Sequence, residues 1–142
     1  FFGEEKEKYI SVDSLLRSLE ENGYGDILFP EEFVVKSDIY KVDVPVYNSE
    51  VINDATFHVY SDTHKCEFNI SKCEKQSPRT FLDLKNAKTE IINGMNVYVF
   101  EVDGGVTLEF IIEGYQYYIT SDMSYDDMIS LAESMKSVKD IK

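Results

Sequence analysis

Two residues, Glu113-Gly114, constrain this chain more than any others. They separate residues 107–112 from residues 115–120. Folded as a two-residue turn, they set Ile112 opposite Tyr115, Phe110 opposite Tyr117 and Leu108 opposite Ile119. Every side chain on that face is then apolar or aromatic. The other face sets Ile111 opposite Gln116, Glu109 opposite Tyr118 and Thr107 opposite Thr120. Successive strand side chains point to opposite faces, so a slip of one residue would mix the two sets. The pattern calls for an antiparallel hairpin with one face buried.

The same logic extends the hairpin into a meander. Asn93-Gly94 is a two-residue turn signal, because both positions tolerate positive φ. Asp103-Gly104-Gly105 is a further turn, and it leaves two registers open. A two-residue loop turns Met95, Val97 and Val99 inward. A three-residue loop turns Tyr98, Phe100 and Val102 inward. Both sets make good core, so the residue names do not choose. Earlier in the chain, residues 55–60 and 66–70 read as paired strands joined by Ser61-Asp62-Thr63-His64. Their inward sides are Phe57 and Val59, then Cys66, Phe68 and Ile70. Residues 39–47 alternate with Tyr40, Val42, Val44 and Val46 on one side, a half-buried strand. Pro45 has no amide to give a ladder, which places it at an edge or beside a bulge. Residues 73–87 are polar, include Pro78, and read as a loop. Ten Tyr and nine Phe against no Trp also favour the pleated surface of a sheet.

Helices are expected at both ends. Ser11 caps a stripe of Val12, Leu15, Leu16 and Leu19, and Asn22-Gly23 stops it. Ser124 with Asp127 three residues on forms a capping-box variant. Met128, Leu131, Ala132 and Met135 come next at helical spacing, with Lys136 and Lys139 near the C-terminal end. The expected fold is α+β: a twisted antiparallel sheet of about six or seven strands, with the N- and C-terminal helices on one face. At 142 residues a single domain is expected over residues 10–142. Residues 1–9, with the charged run Glu4-Glu5-Lys6-Glu7-Lys8, read as a linker downstream of a removed leader or anchor.

Several kinds of chemistry find no footing. The net charge of −13, from 27 acids and 14 bases, repels nucleic acid and anionic lipid surfaces. No apolar run reaches the ~20 residues that span a bilayer. Nucleotide-binding glycine loops and the hydrolase G-x-S-x-G are missing, and the hairpin turns account for the glycines. His58 and His64 lack the spacing of a helical metal pair, and Cys66 and Cys73 do not form C-x-x-C. On one extended strand those cysteines would lie about 20 Å apart. A bridge needs Cα atoms within ~7 Å, so free thiols are expected unless a turn intervenes. Asp122, Asp126 and Asp127 lack EF-hand spacing, and helix capping explains them. No cofactor, metal or catalytic residue is assigned, and no enzyme activity is expected. Tyr98, Phe100 and Tyr118 are the aromatics expected to contact a ligand or partner.

Three stretches carry a resemblance: Phe29-Pro30-Glu31-Glu32-Phe33, Ile92-Asn93-Gly94-Met95-Asn96-Val97-Tyr98, and a closing run. That run has Gly114, Tyr115 and Tyr117, then Ser124, Met128-Ile129 and Leu131-Ala132-Glu133-Ser134. Over residues 28–135 the chain resembles the bacterial domain-of-unknown-function family 4367, found mainly in Firmicutes. Glu32 and Phe33 stand where that family usually has Gly-Tyr. The resemblance implies a domain outside the cytoplasmic membrane, secreted or anchored as a membrane protein or lipoprotein. Some such domains form the outer portion of proteins resembling anti-sigma factors. It brings no catalytic motif. The expected role is non-catalytic extracytoplasmic sensing or protein interaction. The alternative is a carrier whose aromatic-lined concave sheet holds a small apolar or cell-wall-derived ligand.

Overall fold

A computed structural model describes residues 9–48, 53–72, 87–102 and 104–141. The elements are β1 (Tyr9–Ile10), α1 (Val12–Glu21), β2 (Leu28–Pro30), α2 (Glu31–Val35), β3 (Lys41–Asp43), β4 (Val46–Asn48) and β5 (Asp54–Tyr60). Then come β6 (Lys65–Lys72), β7 (Lys88–Ile92), β8 (Met95–Val102), β9 (Gly105–Ile112), β10 (Tyr115–Ser121), α3 (Tyr125–Glu133) and β11 (Met135–Ser137). Nine strands form one antiparallel sheet in the order β1-β3-β5-β6-β10-β9-β8-β7, with β4 also on β5. β2 and β11 pair as a separate ribbon. The architecture is α+β as expected, with more strands than the six or seven read from sequence. The extra ones are pieces of two or three residues, too short to show a period. β1 already includes Tyr9, which pairs with Asp43.

The β9–β10 hairpin has the register that its residues dictate, with all six expected pairs present. Glu113 and Gly114 both take positive φ, 51° and 87°, as a tight hairpin turn demands. Glu has no special tolerance for that region, so the flanking apolar pairs hold it there. At Asp103-Gly104 the open question closes. Val102 pairs with Gly105, so the loop has two residues, and Val97 and Val99 turn into the core. Gly105 is obligatory, because a Cβ there would stand 2.3 Å from the Ser121 carbonyl oxygen.

The expected alternation over residues 39–47 breaks at its middle. Val42 pairs with Val59 and Val46 with Thr56, so residues 43–45 oppose only residues 57 and 58. That one extra residue makes a β-bulge within residues 43–45, the stretch that includes Pro45. It shifts every later side chain to the other face. Val44 and Val46, expected inward with Val42, are 58% and 64% exposed. Tyr47 turns inward instead, stacks on Tyr24 at 5.8 Å, and its hydroxyl bonds the Ser18 hydroxyl at 2.8 Å.

Both long helices lie on the inner face of the sheet. Ser11 caps α1 by accepting from the Ser14 amide, and Ser124 caps α3 by accepting from the Asp127 amide. Val12, Leu15 and Leu19 from α1, and Met128, Leu131 and Ala132 from α3, join one core with the inner faces of β5, β6, β9 and β10. Met135 departs from its expected place on α3. The helix ends at Glu133, and Met135 begins β11, paired with Pro30. Lys136 and Lys139 therefore do not compensate a helix end; they bind Glu31 and Asp26, each at 2.9 Å. The short α2 opens directly after Pro30, whose φ of −65° suits a helix start.

Candidate functional site

A site needs a surface that the core has not consumed. On the inner face the described aromatic rings pack against one another. Phe57 and Phe68 stack at 4.9 Å, and Phe29 and Phe33 close on Phe68 from the other layer. Phe110 and Tyr117 stack at 4.6 Å. The Tyr117 hydroxyl accepts from the Leu28 amide at 2.8 Å, so its one polar atom serves the β2 ribbon. Burial pushes the Tyr117 phenol well above the usual range, against the pull of that bond. Cys66 is buried in the same layer, and desolvation raises its thiol strongly, which removes it as a nucleophile. Cys73 lies outside the described residues.

The outer face is built differently. β8, β9 and β10 bring Tyr98, Glu109 and Tyr118 into one row, with both tyrosines directly opposite Glu109. Asn69 and Thr56 continue that row across β6 and β5. The next row holds Phe100, Thr107 and Thr120, and the two threonine hydroxyls bond at 3.0 Å. So the three aromatics singled out from sequence share a face and two adjacent rows. Tyr98 and Tyr118 are half-buried, whereas Phe100 is only 4% exposed. Sequence reasoning passed over Glu109. It is 3% exposed and accepts from the Gln116 amide nitrogen at 3.0 Å. Its signal was present: it is the one acid in an otherwise apolar-and-hydroxyl stretch, on a central strand.

Both histidines are held by aspartates, and both pairs have local work to do. At the bulge the His58 amide has lost its ladder acceptor. Asp43 Oδ1 accepts from that amide at 2.6 Å, and Asp43 Oδ2 accepts from the ring Nδ1 at 2.9 Å. His58 Nε2 lies 3.8 Å from Glu67 Oε1, so a carboxylate stands where an activated hydroxyl or thiol would be needed. The second pair closes the end of the sheet. Asp122 Oδ1 accepts from the Lys65 amide at 3.2 Å and from His64 Nδ1 at 3.1 Å. Desolvation is the largest single influence and opposes these bonds, yet together they win and hold the Asp122 carboxyl below its ordinary range. Among the described residues no three His, Cys, Asp or Glu side chains converge as a metal would need. Asp126 and Asp127 sit in the first turn of α3, at the positive end of its dipole.

One concavity lies beside the Asp43–His58 pair. Two adjoining recesses, of about 220 and 420 Å³, share Ile39, Lys41, Ser61 and Asp62. The smaller reaches Tyr9 and Tyr60, and the larger reaches His64. Tyr9 and Tyr60 meet edge to face at 5.5 Å, and Lys41 Nζ stands 5.7 Å from the Tyr9 ring centre.

Comparison with known proteins adds a family but no activity. The family model described as "Domain of unknown function (DUF4367)" matches residues 27–135. Neither a curated protein nor a solved structure matches the chain.

Proposed function

Since the chain belongs to the DUF4367 family of domains of unknown function, we propose that it is a non-catalytic extracytoplasmic sensing or protein-interaction domain. One observation carries the proposal: the two faces of its sheet are finished to different standards. Its own helices close the inner face with apolar side chains, while the outer face sets two half-buried tyrosines, Tyr98 and Tyr118, on either side of a buried carboxylate. Aromatic rings with a polar handle suit a surface that is wet when free and covered when bound. The net charge of −13 favours a partner that is neutral or basic where it docks. The carrier alternative needs an aromatic-lined chamber behind the sheet. There the rings of Phe57, Phe68, Phe29 and Phe33 fill the space with one another. The non-catalytic assignment is supported by the histidines, whose aspartate partners have structural duties.

Two measurements test this on the natural full-length protein in its own cells. A photo-crosslinking residue replacing Tyr98 or Tyr118 should give one discrete protein adduct, lost when the other tyrosine is changed to Ala. Absence of adducts from both positions overturns the outer-face interaction. Protease added to intact cells should cleave the domain. Protection until lysis overturns the extracytoplasmic placement.

A further inference from the structure

We propose that the cleft between Ile39–Lys41 and the Ser61–His64 turn binds an uncharged sugar ring. This site is separate from the Tyr98–Glu109–Tyr118 row and does not depend on what that row contacts. Its size is suitable, because small-ligand sites are concave and begin near 300 Å³; the larger recess alone is about 420 Å³. The adjoining smaller recess adds an aromatic wall. Tyr9 is 49% exposed although it is tethered by pairing to Asp43 and by the edge contact to Tyr60. A ring held in place yet left wet presents apolar area at little entropic cost to whatever covers it.

The polar lining narrows the ligand class. Among the described residues Lys41, Asp38 and Asp62 form no ion pair. A simple anion would meet Asp38, Asp62 and the surrounding negative field; a simple cation would meet Lys41. A neutral polyol meets neither objection. Each of its hydroxyls both donates and accepts. Lys41 Nζ can donate to one and the carboxylates of Asp38 and Asp62 can accept from others. His64 Nδ1 is committed to Asp122, leaving Nε2 without a hydrogen-bond partner among the described residues. The turn itself is pre-formed. The Ser61 hydroxyl accepts from the Thr63 and His64 amides, and the Ser61 amide donates to the His64 carbonyl at 2.9 Å.

The test is an amide-resolved NMR titration of the domain with three uncharged probes: cellotetraose, chitotetraose and maltotetraose. Sodium acetate and inorganic phosphate serve as anionic controls. At least one sugar should shift the resonances of Lys41 and residues 61–64 in a saturable way. Tyr9→Ala should weaken that binding about tenfold, or 1.4 kcal/mol, with unchanged circular dichroism and an unchanged urea midpoint. Lys41→Met should weaken it less, while Tyr98→Ala should leave it alone. No saturable shift at the cleft with any of the three sugars overturns the proposal. So does equal affinity in Tyr9→Ala, or tighter binding of acetate or phosphate at the same resonances.

Discussion

The two faces of the β9–β10 hairpin share one backbone and one register, and they obey different physics. On the inner face Leu108, Phe110, Tyr117 and Ile119 are all but fully buried, and their worth is the apolar area withdrawn from water. A ring of that kind contributes about 1.5–3 kcal/mol. On the outer face Thr107, Glu109 and Gln116 are just as hidden, yet what they offer is hydrogen bonding: Thr107 to Thr120, Glu109 to Gln116. Phe100 is the intermediate case, buried but outside the main core cluster. Low exposure therefore does not identify a core residue. The inner face is specified by volume and tolerates no polar substitute. The outer face is specified by matched donors and acceptors.

That contrast can be broken by measurement. The largest effect should come from Phe68→Ala, because Phe68 touches Phe29, Phe33 and Phe57 at once. A loss of about 3–5 kcal/mol is expected from urea unfolding; a loss below about 1 kcal/mol would show that the inner face is not close-packed. Next comes alkaline pH. Burial, then the Asp54 carboxylate, pushes the Tyr24 phenol up to about 12. The unfolded chain releases that proton near pH 10. The folded form thus holds the proton longer, and stability present below pH 10 is lost as pH rises towards 12. Tyr24→Phe should flatten the stability-against-pH curve in that window, and an unchanged slope would refute the assignment. Tyr117→Phe comes third. It keeps the ring and strands the Leu28 amide, for a cost of about 1–3 kcal/mol. A neutral result would mean that the β2 ribbon has another acceptor. Smallest is Ile91→Thr, on the outer face of β7 at 74% exposure, where a change within about 0.5 kcal/mol is expected. A larger penalty would mean that the outer face is also held by apolar burial.

The sequence was most legible where two periodic strands met across a short turn. At Glu113-Gly114 one register satisfied both faces, so six residue pairs could be named from spacing alone. Legibility failed at residues 39–47. The expectation of four inward side chains assumed an unbroken period of two, and the bulge within residues 43–45 reversed the count after Val42. Pro45 announced the trouble but not its form, because an edge and a bulge both excuse a missing amide. The outer-face site was half legible. Tyr98 and Tyr118 stood out as aromatics without a core duty, and the buried Glu109 between them was overlooked. The cleft was not legible at all. Tyr9, Lys41 and Ser61 come from three separate stretches, and only strand order makes them neighbours.

Alternation, turn chemistry and capping determined the hairpins, the helix starts, and which side of β10 faces the main core. Those effects act within a few residues or across one turn, so residue names contain them. Tertiary structure alone decided how the strands were ordered, that Asp43 would stand in for a lost ladder acceptor, and that Tyr9 would come to rest beside Tyr60. These are long-range choices among many pairings of similar local quality, and they are settled only when the whole apolar face is buried at once.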